Sequence, residues 1–174
     1  MSESPDILNL LNDLLARAKN KGADAGDAVH IESTSLSVAQ RLGNPEKLER
    51  SESADIGLRI FAGKSQAIVS SSDTSSDALD ELAERAVAMA KSVPADPYCG
   101  LADPVQLATD IVDIDAFDAS EPSAEVLVDW ANRAEQAARA VDGVTNSEGA
   151  EAGWGQVTVS IAATNGFSHT YSGS

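Results

Sequence analysis

Leucine, isoleucine and alanine recur at three- and four-residue intervals through Ile7, Leu8, Leu11, Leu14, Leu15 and Ala18. That spacing puts them on one stripe of an amphipathic helix, predicted over 5–21. Ser4 suits the N-cap, Pro5 the first helical position, and Asp6 the positive end of the helix dipole. Lys19 and Lys21 sit in the last turn, and Gly22 closes it. The period then falls to two, which predicts a β meander over 27–72. Val29 and Ile31 alternate with polar neighbours, and so do Leu36, Val38 and Leu42, but with the opposite parity. The change predicts a bulge or break near Ser33 to Ser35. Gly43-Asn44-Pro45 is expected to turn the chain. The polar stretch Lys47–Glu52 suits an edge strand, and Ile56, Leu58 and Ile60 suit a half-buried one. Gly63-Lys64 turns the chain into a strand from Gln66 to Ser71.

Helical spacing returns over 77–91 through Leu79, Leu82, Ala83, Ala86, Val87 and Ala90, with Ser75 or Ser76 as cap. Pro94 and Pro97 bar its continuation. Residues 93–123 form an expected ordered crossover loop, pinned to the domain surface by Val105, Leu107, Ile111, Val112 and Ile114. A third helix is predicted over 124–141 with Leu127, Trp130, Ala131, Ala134, Ala138 and Val141 inward, stopped by Gly143. Residues 144–174 form a β hairpin region in which Val157, Val159 and Ile161 alternate and Asn165-Gly166 signals a type I′ turn. Phe167, His169 and Tyr171 then share one face. The fold class that follows is α+β, a largely antiparallel sheet with three main helices packed on it. The last strand is still running at Ser174, so the chain is expected to be part of a longer protein.

Charge narrows the partners. The 174 residues carry a formal charge of −16, which repels phosphate. Nucleic acid and anionic membrane surfaces are therefore not expected. The opening residues have no basic n-region, and no apolar run approaches the roughly 20 residues of a membrane helix. A cytoplasmic location is the expectation. The single cysteine, Cys99, rules out an internal disulfide and is expected to be a neutral, structural thiol.

Catalytic chemistry is sparse. A zinc peptidase site needs two imidazoles, a third ligand and a carboxylate beside the bound water. This chain has only His30 and His169, on separate predicted strands; His30 is expected at the sheet surface and His169 as a polar hairpin residue. The run Ser70 to Ser76 has no nearby base and no nucleophile elbow, and helix capping accounts for its hydroxyls. Asp110, Asp113, Asp115 and Asp118 lack the spacing and central glycine of a calcium loop. No catalytic or metal-ligating residue is assigned, and no substrate-binding residue is identified.

One block does point to a family. Gly57, Phe61, Gly63, Lys64 and Gln66 form a hairpin pattern; Ser71, Ser72 and Asp73 form a corner; Asp96 to Asp103 (Asp-Pro-Tyr-Cys-Gly-Leu-Ala-Asp) form the exit of the second helix. In that order they resemble the signature of the PmbA/TldE branch of the TldD/PmbA family. The resemblance implies that residues 1–174 are an N-terminal α/β domain of a longer PmbA/TldE-like subunit. It implies a TldD-like partner in a homo- or heterodimer that carries the zinc, while this chain holds no cofactor. It further implies a cytoplasmic metalloprotease acting on peptides and on unfolded or small proteins, including peptide maturation. This domain would then be a scaffold that walls the substrate cavity and is not catalytic alone. The edge Lys47–Glu52 and the hairpin Gly57–Ser72 are candidates for receiving extended substrate by strand addition. The alternative is a non-proteolytic module that handles gyrase-directed toxins or antitoxins.

Overall fold

The computed structural model describes residues 4–174, with side chains from Asp6 onward. The Ser4 cap and Pro5 expected from sequence lie outside the described side chains. Helix α1 spans Ser4–Asn20, strand β1 Ala25–Arg41, β2 Asn44–Ala62, β3 Ser65–Ser71 and helix α2 Ser76–Ser92. A short 3-10 turn at Pro104–Gln106 is followed by α3 Ala124–Arg139, β4 Ala150–Ala163 and β5 Ser168–Gly173. The sheet order is β3-β2-β1-β4-β5. β2 and β3 pair antiparallel with Ile56 opposite Ser71 and Ala62 opposite Ser65. The α+β expectation therefore holds.

The chain divides into two compact units. One comprises residues 1–32, 53–114 and 158–171; the other comprises 33–52, 115–157 and 172–174. In the first, Leu11, Leu14 and Ala18 of α1 and Leu82, Ala83 and Ala86 of α2 bury against Ile56, Leu58 and Ile60 of β2. All six predicted inward residues of α2 are buried, because an amphipathic face has one sheet to cover. α1 ends with a left-handed Gly22, φ +100°, with Gly22 N–H donating to Lys19 O and Ala23 N–H to Ala18 O. Those two bonds satisfy carbonyls that the last helical turn would otherwise leave open. Arg17 ties the two helices together, donating to the Ser76 carbonyl at 2.9 Å and pairing with Asp13 and Asp80.

The second unit is built on Leu36, Val38, Leu127 and Ala131, with Val128 and Trp154 packed against them. Here α3 departs from expectation. Leu127, Ala131 and Glu135 are its buried residues; Trp130 is 50% exposed and Val141 60% exposed. Ala134 and Ala138 also face solvent. The inward stripe passes through a carboxylate instead, because Glu135 accepts hydrogen bonds from the Leu42 and Gly43 N–H groups at 2.8 and 3.1 Å.

Other expectations are corrected as well. β1 is continuous, without the break at Ser33–Ser35: Ala28, His30, Leu36, Val38 and Gln40 are all buried, so even parity is kept. Val29 and Ile31 take the other face, and His30, expected at the surface, is 5% exposed. The first hairpin turns at Leu42-Gly43, not at Gly43-Asn44-Pro45, and both residues have positive φ, 51° and 78°. Asn44 to Ala62 is then one strand in place of two. The last hairpin is not type I′: only Gly166 has positive φ. Asn165 Oδ1 accepts the Phe167 N–H at 3.2 Å, which favours the longer loop.

Candidate functional site

Two parts of the sequence signature, the hairpin and the exit loop, meet in the first unit; the Ser71–Asp73 corner lies at the other end of β3. Gly63, at φ +59°, lets the β2–β3 hairpin turn tightly. Its N–H donates to Asp24 Oδ2 at 2.6 Å, while Asp24 N–H donates to the Phe61 carbonyl at 2.9 Å. The exit loop then folds back onto that turn. Lys64 O accepts the Asp96 N–H at 2.6 Å and the Cys99 thiol at 3.0 Å, and Ser65 Oγ donates to Val93 O. Within the loop, Asp96 holds the Tyr98 N–H and Asp103 caps the 3-10 turn through Val105 N–H. Asn165 Nδ2 donates to Ala102 O, which anchors the loop at a second point. Cys99 is buried with its thiol occupied, as a structural cysteine would be.

The loop is held by these hydrogen bonds, and the aliphatic residues expected to pin it divide: Leu107 is half-buried, while Val105, Ile111, Val112 and Ile114 are exposed. Val105, Val112 and Ile114 are 86%, 73% and 79% exposed, against the expectation that they pin it. Tyr98 projects into solvent at the loop tip.

The serine-rich corner is structural in its contacts. Ser71 Oγ accepts the Asp73 N–H, Asp73 Oδ1 accepts the Ser75 N–H, and Ser75 Oγ caps α2 by accepting the Ala78 N–H. The backbone donor of Ser75 holds the Asp73 carboxyl below its usual range.

The residues present do not fit a zinc centre. His30 is buried in β1 with Glu32 Oε1 3.9 Å from its Nδ1, and His169 in β5 stacks on Tyr171 with ring centroids 6.2 Å apart. β4 lies between those two strands. Among the described residues, no three His, Cys, Asp or Glu side chains group so as to hold a metal ion.

Two surface features lie near the signature residues or on the β2 edge. A cavity of about 290 Å³ lies in the first unit beside Lys19, Asp24, Gly26, Leu101 and Asn165. The other is the edge of β2. β3 pairs only with Ile56–Ala62, and β2 lies between β3 and β1. Residues 44–52, all exposed, therefore have no strand on that side among the described residues. Alternating charges line this stretch: Lys47 pairs with Glu49 at 2.6 Å, and Arg50 bridges Glu52 and Glu121. The Lys47 hydrogen bond holds the Glu49 carboxyl below its usual range. Charged side chains on an edge discourage random pairing while leaving the backbone groups available.

Sequence reasoning missed Glu135. Its position four residues beyond Ala131, itself four beyond Leu127, was the available signal: an acid on an apolar stripe. The Leu42 N–H, above all, holds its carboxyl below the usual range.

Comparison with known proteins extends this picture. Residues 26–90 match the family described as PmbA/TldA metallopeptidase domain 1. Metalloprotease PmbA of Escherichia coli O157:H7 is 33% identical over 136 residues, covering 78% of this chain and 30% of the relative. The metalloprotease PmbA homolog of Haemophilus influenzae is 34% identical over 134 residues, covering 76% and 30%. The chain thus spans about a third of the length of these relatives. Among solved structures, a proposed modulator of DNA gyrase from Bacteroides thetaiotaomicron superposes with TM-score 0.85 at 17% identity, covering 94% of this chain and 38% of the other. TldE from Thermococcus kodakarensis superposes with TM-score 0.75 at 16% identity, covering 94% and 37%. At those identities the two structures speak to the fold alone.

Proposed function

We propose, from the premise that this chain belongs to the PmbA/TldD family, that residues 1–174 are the N-terminal scaffold domain of a PmbA/TldE-like subunit. That subunit pairs with a TldD-like subunit in a metalloprotease that cuts peptides and unfolded or small proteins in the cytoplasm. The zinc would be held by the partner; this chain helps to enclose the substrate. The observation that carries the reading is the match of residues 26–90 to a metallopeptidase domain in a chain whose two histidines, His30 and His169, lie on strands separated by a third. Among the described residues no helix is long and apolar enough to cross a membrane, which is compatible with that location. The exposed β2 edge is suited to adding an extended peptide as a further strand, with main-chain hydrogen bonds supplying affinity.

The test is co-purification of the full-length parent protein with the TldD-like protein of the same genome. Zinc measurement and casein digestion follow. The expected result is a stable complex in which zinc and cleavage depend on the partner's metal motif, and cleavage also requires this chain. A full-length protein that binds no such partner, or a partner equally active alone, would overturn the proposal.

A further inference from the structure

The second unit contains a cavity that the scaffold role leaves unused. It has a volume of about 320 Å³ and is lined by Asp118, Ser120, Glu121, Pro122, Trp130 and Trp154, among others. We infer that this notch is a subsite for a cationic side chain of a peptide, arginine before lysine. The inference rests on the peptide-handling reading above and names the side chain that this part of the surface would select.

Aromatic character comes first. The chain has two tryptophans, and both line this one cavity. Trp154 packs against the core of the unit and gives a fixed wall. Trp130 follows the buried Leu127 on α3 yet is half exposed at the mouth of the cavity. Large aromatic surface left in water beside a cavity favours an occupant that can cover it. Tryptophan is the best aromatic partner for a cation, and a planar guanidinium stacks on an indole where an ammonium cannot.

Charge comes second. Asp118 and Glu121 both line the notch. Asp118 Oδ1 accepts the Ser120 N–H at 2.8 Å, which holds its carboxyl below the usual range. Glu121 already holds one guanidinium, that of Arg50, which also pairs with Glu52. Glu121 is thus already engaged, and Arg50 is an internal competitor for an incoming guanidinium. An anionic occupant would meet both carboxylates and the overall charge of −16.

The experiment titrates the 174-residue chain with N-acetyl-argininamide and reads tryptophan fluorescence, which reports the notch because both indoles line it. N-acetyl-norleucinamide, which keeps an unbranched apolar side chain and lacks the charge, is the control. The expected result is a saturable change with the arginine probe and binding about tenfold weaker for norleucine. Trp130→Leu should weaken the arginine probe by a similar factor. Arg50→Met, at an exposed position, should strengthen it about threefold by freeing Glu121. A merely structural role for Arg50 would not produce that gain. No saturable change, equal binding of norleucine, or an Arg50→Met chain that binds no better would each overturn the inference. The titration needs neither zinc nor a partner subunit. Its failure therefore leaves the protease-subunit proposal standing, and failure of partner-dependent cleavage leaves the titration result standing.

Discussion

Glu135 shows how one side chain can set the conformation of a distant turn. It reaches the first hairpin with two backbone N–H donors at 2.8 and 3.1 Å, both bound best by an ionised carboxylate. The folded state lowers its pKa, with the Leu42 N–H as the largest cause. A lowered folded pKa adds stability that is present above the unfolded value, about 4.3, and is lost as pH falls through the folded value. Glu135→Gln should therefore destabilise the chain at pH 7, because a carboxamide presents only one acceptor to two donors. The gap between wild type and variant in urea midpoint should shrink as pH is lowered from 7 to 3. A gap that stays constant over that range would mean the charge plays no part. His30 makes a related point: a histidine at an even position of β1 is carried inside by strand parity, whatever its own preference.

At the scale of elements, the long strands β1 and β2 depend on the turn between them. Leu42 and Gly43 both adopt the left-handed region, as a two-residue type I′ hairpin requires. For leucine that conformation costs about 1–2 kcal/mol, and Leu42 is 43% exposed, so its side chain recovers little of this through burial. Leu42→Gly is expected to stabilise the chain by about 0.5–1 kcal/mol after allowing for the added freedom of glycine when unfolded. Chemical denaturation at pH 7 measures it; a loss of stability would show that the Leu42 side chain matters more than its backbone strain. The exit loop after α2 illustrates the opposite arrangement. Most of its aliphatic residues are exposed, with Leu101 and Leu107 half-buried, and hydrogen bonds to Lys64 and Asn165 hold it in place. The signature of Phe61, Gly63, Lys64 and Asp96 to Asp103 thus describes one local assembly, in which a turn and a loop separated by a helix share their hydrogen bonds.

For the molecule as a whole, the proposed peptide-binding edge can be separated from the fold. Prolines placed singly at residues 46–52 remove one N–H each and point no side chain into a core, since every one of those positions is exposed. If substrate adds to this edge, some of these variants in the assembled protease should raise KM for an unfolded substrate about tenfold, with kcat little changed. The others should leave KM unchanged but lower stability, because their N–H groups face β1 and a proline there removes a ladder hydrogen bond. Unchanged KM across the whole series would remove strand addition from the proposal while leaving the subunit role intact.

The sequence alone determined the class of the fold, the three helices, the presence of a meander and the family. Each of these rests on periodicity, on turn residues or on a motif, and all of those are local. The inward face of α2 was legible residue by residue because an amphipathic helix on a sheet has one solution. Tertiary structure decided the rest. Whether β1 breaks or continues depends on which face the helices cover, and small residues such as Ala28 leave that undecided in the pattern. The inward face of α3 was set by a carboxylate meeting two N–H groups from a hairpin more than ninety residues away. The gathering of Trp130, Trp154, Asp118 and Glu121 around one notch has the same origin. Such arrangements depend on where long strands bring distant segments together, which no local spacing in the chain encodes.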